Sequence, residues 1–203
     1  MLSAMKELIP GAQNWPRFVR NKSEQFEARV CMVEITKPIN GTHQSIFLEG
    51  MEGSKFPIPV AHGEGRIEYR DDVSKENELE NCCIRFVDPQ GSPTEVYPYN
   101  PNGSKLGATG DFIYFIFIKF LLNFYFLFIC LNHSMTFFFC LKFFFLNLGF
   151  VANEGRTTIW MPHPERAIRT VTNSYVPDEY KDSYYAPPMW FFYNARKWVE
   201  KNH

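Results

Sequence analysis

A mixed α/β fold is what this sequence predicts, and three observations carry that reading. Short β-rich runs follow one another from residue 26 to residue 88, bounded by Gly, Pro, Asn and Asp. A later run, Thr157 to Met161, stops abruptly at Pro162, and a strand that ends in a rigid loop is where α/β folds often carry reactive groups. The final segment, "PPMWFFYNARKWVEK", has the spacing of a helix entered through prolines. With 203 residues the chain suits one domain with a real core, and two complete domains would be cramped.

Taken in order, Met1, Leu2, Met5 and Leu8 stand at helical spacing before Pro10-Gly11 stops the pattern. No Ser, Thr, Asp or Asn cap precedes them, so the segment reads as a helix entered partway. "FEARVCMVEI", Phe26 to Ile35, alternates apolar and polar residues, with Val30, Met32 or Val33, and Ile35 as its apolar positions. "SIFLEGM" and "FPIPVAHGEGRIEY" predict further short strands, and Gly63 and Gly65 free the backbone around His62 and Glu64. "NCCIRFVD" predicts a strand closed by the turn Asp88-Pro89-Gln90-Gly91, and "YPYNPNGS" a loop. In the last segment Trp190, Tyr193 or Asn194, and Trp198 form the stripe predicted to pack on the sheet.

Charge and cysteine usage narrow the function classes. Lys plus Arg number 21 against 22 Asp plus Glu, a net charge of -1, so no global field draws the chain to nucleic acid or anionic lipid. "MLSAMKELIPG" lacks the basic and apolar regions of a signal peptide, which makes the cytoplasm the expected compartment. Cys31, Cys82, Cys83, Cys130 and Cys140 show no C-x-x-C pair and no Cys/His spacing for zinc, so they are expected to be reduced thiols and no metal site is expected. The sequons at Asn21, Asn40, Asn102 and Asn132 would matter only in a secreted protein.

His163 and Glu165 are the leading catalytic candidates. A carboxylate beside an imidazole fixes its tautomer, leaving the other ring nitrogen to act as a base toward a Ser or Cys nucleophile. Pro162 and Pro164 restrict the backbone that presents them, although a solvated surface loop would carry the same letters. "HGEGR", with His62, Glu64 and Arg66, reads either as an anion or partner site of exposed N–H groups or as a β-turn with solvated charges. None of the five cysteines lies in the strand-to-helix elbow that activates a nucleophilic thiol.

Six blocks, "MLSAMKELIPGAQNWPRFVRNKSEQFEARVCMVEI", "FPIPVAHGEGR", "CCIRFVD", "YPYNPNGS", "MPHPERAIRTVTNS" and "FYNARKWV", together resemble the C-terminal glutamine amidotransferase domain of the large single-chain phosphoribosylformylglycinamidine synthases. The resemblance implies a class I amidotransferase with a flavodoxin-like three-layer sandwich, here without its first strands. It implies a thiolate that attacks the glutamine carboxamide, forming a glutamyl thioester and releasing ammonia. The ammonia would serve a synthetase region of the same full-length chain, where ATP and magnesium support conversion of formylglycinamide ribonucleotide to the amidine in purine synthesis. By the same resemblance His163 is the general base and Glu165 its orienting carboxylate, while Asn21, Ser23 and Phe26 lie near bound glutamine.

The sequence departs from that family twice. The family's "GVCNGCQ"-like elbow falls just before the first helix, so its nucleophile is expected upstream of Met1 and this chain alone is expected to be inactive. Residues 112 to 148 contain no Ala, Val, Gly, Arg, Glu, Asp, Pro, Gln or Trp, yet hold most of the chain's 21 Phe. Natural membrane spans use Ala, Val and Gly freely, and Gly and Pro are more frequent there than in soluble helices, whereas AT-rich codons explain this set. Three segments are therefore expected: 1–110 and 150–203 as amidotransferase domain, and 111–149 as an intron-like apolar insert. Two alternatives stand beside this: a non-catalytic docking module, or a membrane-anchored protein if 112–131, long enough at about 20 residues, is a genuine span.

Overall fold

A computed structural model describes residue 8 and residues 16–36, 45–69, 82–112 and 156–202. The predicted first helix lies outside these residues apart from Leu8, as do Cys130, Cys140 and most of the apolar block. Two sheets form. In the smaller, β1 (Arg17–Val19) pairs antiparallel with β4 (Arg66–Glu68). The larger has the order β3-β2-β5-β6-β7, where β2 is Glu27–Ile35, β3 Lys55–His62, β5 Cys82–Phe86, β6 Ala108–Phe112 and β7 Thr158–Trp160. One α-helix, α1 (Met189–Asn202), closes the described chain.

Every described pairing is antiparallel. Helix and sheet are thus combined as expected, but the parallel layer on which a flavodoxin-like sandwich rests is not among the described residues. β2 lies between β3 and β5, and its odd-numbered residues turn to one face. Cys31, Val33 and Ile35 are buried there, while Val30 and Met32 are exposed. The period-2 pattern was legible, but of the two parities only 31, 33 and 35 faces the core, which removes Val30 and Met32 from the expected set.

On the same face stand Phe56, Ile58 and Val60 of β3 and Ile84 and Phe86 of β5. α1 covers them with Phe191, whose ring meets Phe56 at 6.0 Å and Trp160 at 5.3 Å, both edge to face. Of the predicted stripe, Asn194 faces inward, but Trp190 and Tyr193 do not, and Phe191 takes the place of Trp190. Phe191 and Asn194 are buried, three residues apart, whereas Trp190 and Tyr193 stack on each other in solvent. Asn194 explains the choice: its Nδ2 donates to the carbonyls of Phe47 and Glu49, a bond pair that no aromatic at that position could make.

Those carbonyls belong to the segment predicted as the strand "SIFLEGM", which is instead a 3-10 turn, Ile46–Leu48. Ser45 starts it by accepting the Phe47 N–H on its Oγ, the local competition by which Ser favours turns over strands. The Asp88–Gly91 turn forms as expected, with the Asp88 carboxylate accepting from the N–H groups of Gln90 and Ser92 and Gly91 at φ +80°.

β6 and β7 are adjacent, with Gly110 opposite Trp160 and Phe112 opposite Thr158. The apolar block therefore leaves the sheet at Phe112 and the chain re-enters beside the same residue. Among the described residues no helix is long and apolar enough to cross a membrane, and residues 113–131 lie outside them.

Candidate active site

β3 is an edge strand, and Pro57 and Pro59 within it require that position. Proline has no N–H for a ladder, so its backbone side must face outward. The carbonyl of Pro59 on that outward side is used: it accepts the backbone N–H of His163 at 2.8 Å. This bond fixes the loop after β7 against the sheet. Pro164 then opens a 3-10 turn over Pro164–Arg166 with its own side chain buried, so His163 is followed immediately by a rigid turn.

Within that turn His163 Nδ1 lies 2.8 Å from Glu165 Oε1. The carboxylate holds the Nδ1–H tautomer and leaves Nε2 for proton transfer. Arg166 Nε approaches the same carboxylate oxygen at 3.7 Å. Both residues of the pair remain partly accessible, with side-chain exposures of 28% for His163 and 52% for Glu165, as reaction with a soluble substrate demands.

A second imidazole lies nearby. His62, at the end of β3, is only 6% exposed, and neither ring nitrogen has a hydrogen-bond partner among the described residues. Burial lowers its pKa from the ordinary histidine value, and the charge of His163 lowers it further. The ring rests on Gly65: a Cβ there would stand 2.0 Å from it, so only glycine allows this packing. Across the β2–β3 ladder His62 faces Glu27, which is buried and ion-paired with Arg29 at 2.7 Å. Arg29 also donates to the Tyr97 hydroxyl at 2.6 Å and lies over its ring.

Asparagines build the wall behind this cluster. Asn21 Nδ2 donates to the carbonyls of Gln25 and His62, and its Oδ1 accepts from the Gly65 N–H. Asn102 Nδ2 donates to the Gly65 carbonyl, while its Oδ1 accepts from both the N–H and the hydroxyl of Ser104. Ser104 in turn accepts the Ile67 N–H. The "HGEG" turn is thereby pinned from both sides. Asn21 is 2% exposed and Asn102 0%, so neither sequon asparagine offers its amide to solvent in the folded protein.

The structure brings His62 to the same end of the sheet as His163 and Glu165. Asn21 backs the "HGEG" turn with its side-chain bonds taken up inside the protein. Ser23 accepts weakly from Gln25 N–H at 3.4 Å, and Phe26 is exposed. Glu64 is exposed, and Arg66 donates from Nε to the Arg20 carbonyl and pairs with Glu68. Glu27, Arg29 and Tyr97 are the members that sequence reasoning missed. A signal existed: Glu27 and Arg29 share the parity of Cys31, Val33 and Ile35, and charges on a core face must pair.

The described thiols do not supply a nucleophile. Cys31, Cys82 and Cys83 are all buried, and burial pushes the Cys31 thiol up to about 12, far from the thiolate that attacks a carbonyl. Among the described residues no group of three His, Cys, Asp or Glu side chains could hold a metal ion.

Three comparisons bear on the whole chain. The profile of the CobB/CobQ-like glutamine amidotransferase domain matches residues 1–111 and 148–199, passing over the apolar block. A phosphoribosylformylglycinamidine synthase of Saccharomyces cerevisiae is 39% identical over 204 residues, which cover 98% of this chain and 12% of that protein. A solved structure titled "Structure of PurLQS from Thermotoga maritima" aligns with 90% of this chain and 52% of its own, at 19% identity and a TM-score of 0.47.

Proposed function

The chain belongs to the CobB/CobQ-like glutamine amidotransferase family, and from that premise we propose that it carries the acid–base half of a glutaminase site in a phosphoribosylformylglycinamidine synthase. The observation that carries this reading is the His163–Glu165 pair at 2.8 Å, held to the sheet edge by the Pro59 carbonyl. In this reading a cysteine thiol from outside the described residues gives its proton to His163 Nε2, and the thiolate adds to the glutamine carboxamide carbon. His163 returns the proton to the departing nitrogen, ammonia leaves, and the glutamyl thioester remains. Water then hydrolyses the thioester with the same imidazole as base.

The ammonia would pass to a cytoplasmic synthetase region of a longer polypeptide, which would bind ATP and magnesium and form the amidine. The matched yeast protein supports that division, because this chain covers only 12% of its length. In the same reading the antiparallel sheet described here is the later part of a flavodoxin-like class I sandwich. Asn21, Ser23 and Phe26 would lie near the glutamine, and the turn carrying His62, Glu64 and Arg66 would be a structural or partner-facing loop. Because Cys31, Cys82 and Cys83 are buried and none of the five cysteines lies in a strand-to-helix elbow, the isolated chain is expected to release no glutamate from glutamine above a His163→Ala control.

Of the insert expected at 111–149, the residues beyond Phe112 are in this proposal foreign to the β6–β7 pair and derived from an intron, since Asp111 and Phe112 are part of β6. The family profile resumes on both sides of them, and the two strands they separate are hydrogen-bonded neighbours. Transcripts that all contain the block would contradict that origin.

Replacing the matched segment of the yeast synthase by this chain without residues 113–147 tests the functional reading. Cells that depend on the chimera should grow without supplied purine. Failure to grow, with the chimera present and active on added ammonia, would overturn it.

A further inference from the structure

Between the site and α1 the chain makes an excursion, Arg169 to Tyr185, that belongs to neither sheet. It is closed at its base: Arg169 and Tyr185 form an antiparallel bridge, Thr170 N–H donates to the Tyr184 carbonyl, and Ala186 N–H donates to the Ile168 carbonyl. Inside the loop, successive turns satisfy the backbone, with bonds from Thr172 to Arg169, Asn173 to Thr170, Tyr180 to Pro177 and Ser183 to Tyr180. Such a loop is compact and ordered by its own bonds.

Several of its large side chains are nevertheless exposed. Val171 is 84% exposed, Tyr175 76%, Tyr184 58% and Tyr185 50%. Arg169 lies over the Tyr184 ring, which stacks edge to face on Tyr185. Scattered exposed apolar residues need no explanation, but several aromatics on one ordered loop are the composition of a protein interface. Preset aromatics lose little freedom on docking, which is why Tyr anchors so many interfaces.

We propose that this loop is the surface on which the domain docks against the synthetase region of the longer polypeptide. The inference rests on the functional reading above. Two observations select that occupant. The loop carries two basic side chains against three acidic ones, Arg169 and Lys181 against Asp178, Glu179 and Asp182, which suits neither nucleic acid nor an anionic membrane. The relative that this chain matches keeps most of its length outside the matched segment, so a large protein surface is available to cover the loop. Arg169 stands three residues beyond the Pro164–Arg166 turn, so the loop continues directly from the segment that carries His163 and Glu165.

The test mixes the full chain with yeast phosphoribosylformylglycinamidine synthase from which the matched segment has been removed. Hydrogen exchange is followed by mass spectrometry, and affinity by sedimentation. Peptides from 169–185 should exchange at least tenfold more slowly in the complex. The double variant Val171→Asp, Tyr175→Asp should raise Kd at least tenfold with its melting temperature unchanged. A complex that leaves 169–185 unprotected, or that binds the double variant equally well, overturns the docking surface. No complex with the unmodified chain overturns the reading on which it rests, and the inference with it.

Discussion

His62 is a buried histidine whose chemistry departs from its ordinary state. Its imidazole is buried on Gly65 and its pKa is lowered, so the folded protein binds a proton there less readily than the unfolded chain does. Between the lowered folded value and the unfolded value of 6.5 the unfolded state holds more protons, and stability therefore rises with pH across that window. Urea midpoints should be lower at pH 5.5 than at pH 7.5, and His62→Gln should flatten the difference; equal midpoints in the unmodified chain would contradict this. His163 and Glu165 were legible because two prolines frame an H-x-E at the end of a β-rich run. Glu27 and Arg29 were not, because a charge inside a strand reads as solvent-facing until the parity of the core face is known. The amide bonds of Asn21 and Asn102 join residues about forty positions apart, and no local pattern encodes them.

Among the elements, α1 and the β6–β7 hairpin show how far pattern reaches. The helix was legible from its prolines and spacing, but its buried face only in part: Asn194 was among the expected positions and satisfies two carbonyls, whereas Trp190 and Tyr193 stay in solvent. Phe191→Ala should cost about 3–5 kcal/mol in urea unfolding, because a fully buried ring against Phe56 and Trp160 is lost. Trp190→Ala, at an exposed position, should fall within about 0.5 kcal/mol of the unmodified chain. β6 escaped prediction because "ATGDF" is rich in residues that strands avoid, and it is a strand only because β5 and β7 flank it. Removing residues 113–147 should leave the β-sheet circular dichroism intact and the melting temperature no lower, since the two strand ends already lie side by side. Loss of the folded signal would show instead that the block belongs to the domain.

For the molecule as a whole, a family-matched domain presents a histidine–carboxylate pair at one edge of an antiparallel sheet, with the described cysteines buried. The family was legible from short blocks in order, which the profile and the yeast relative bear out on both sides of the apolar stretch. The antiparallel order was not legible, because strand direction depends on which runs pair and no run states its partner. The central claim is that His163, oriented by Glu165, moves the proton in glutamine hydrolysis. Its most direct test is steady-state kinetics of the yeast chimera with glutamine or with ammonia as nitrogen donor. His163→Ala should lower the glutamine-dependent rate at least a hundredfold and leave the ammonia-dependent rate within about twofold, as loss of a general base alone would. Equal glutamine-dependent rates for His163→Ala and the unmodified chimera would contradict the account.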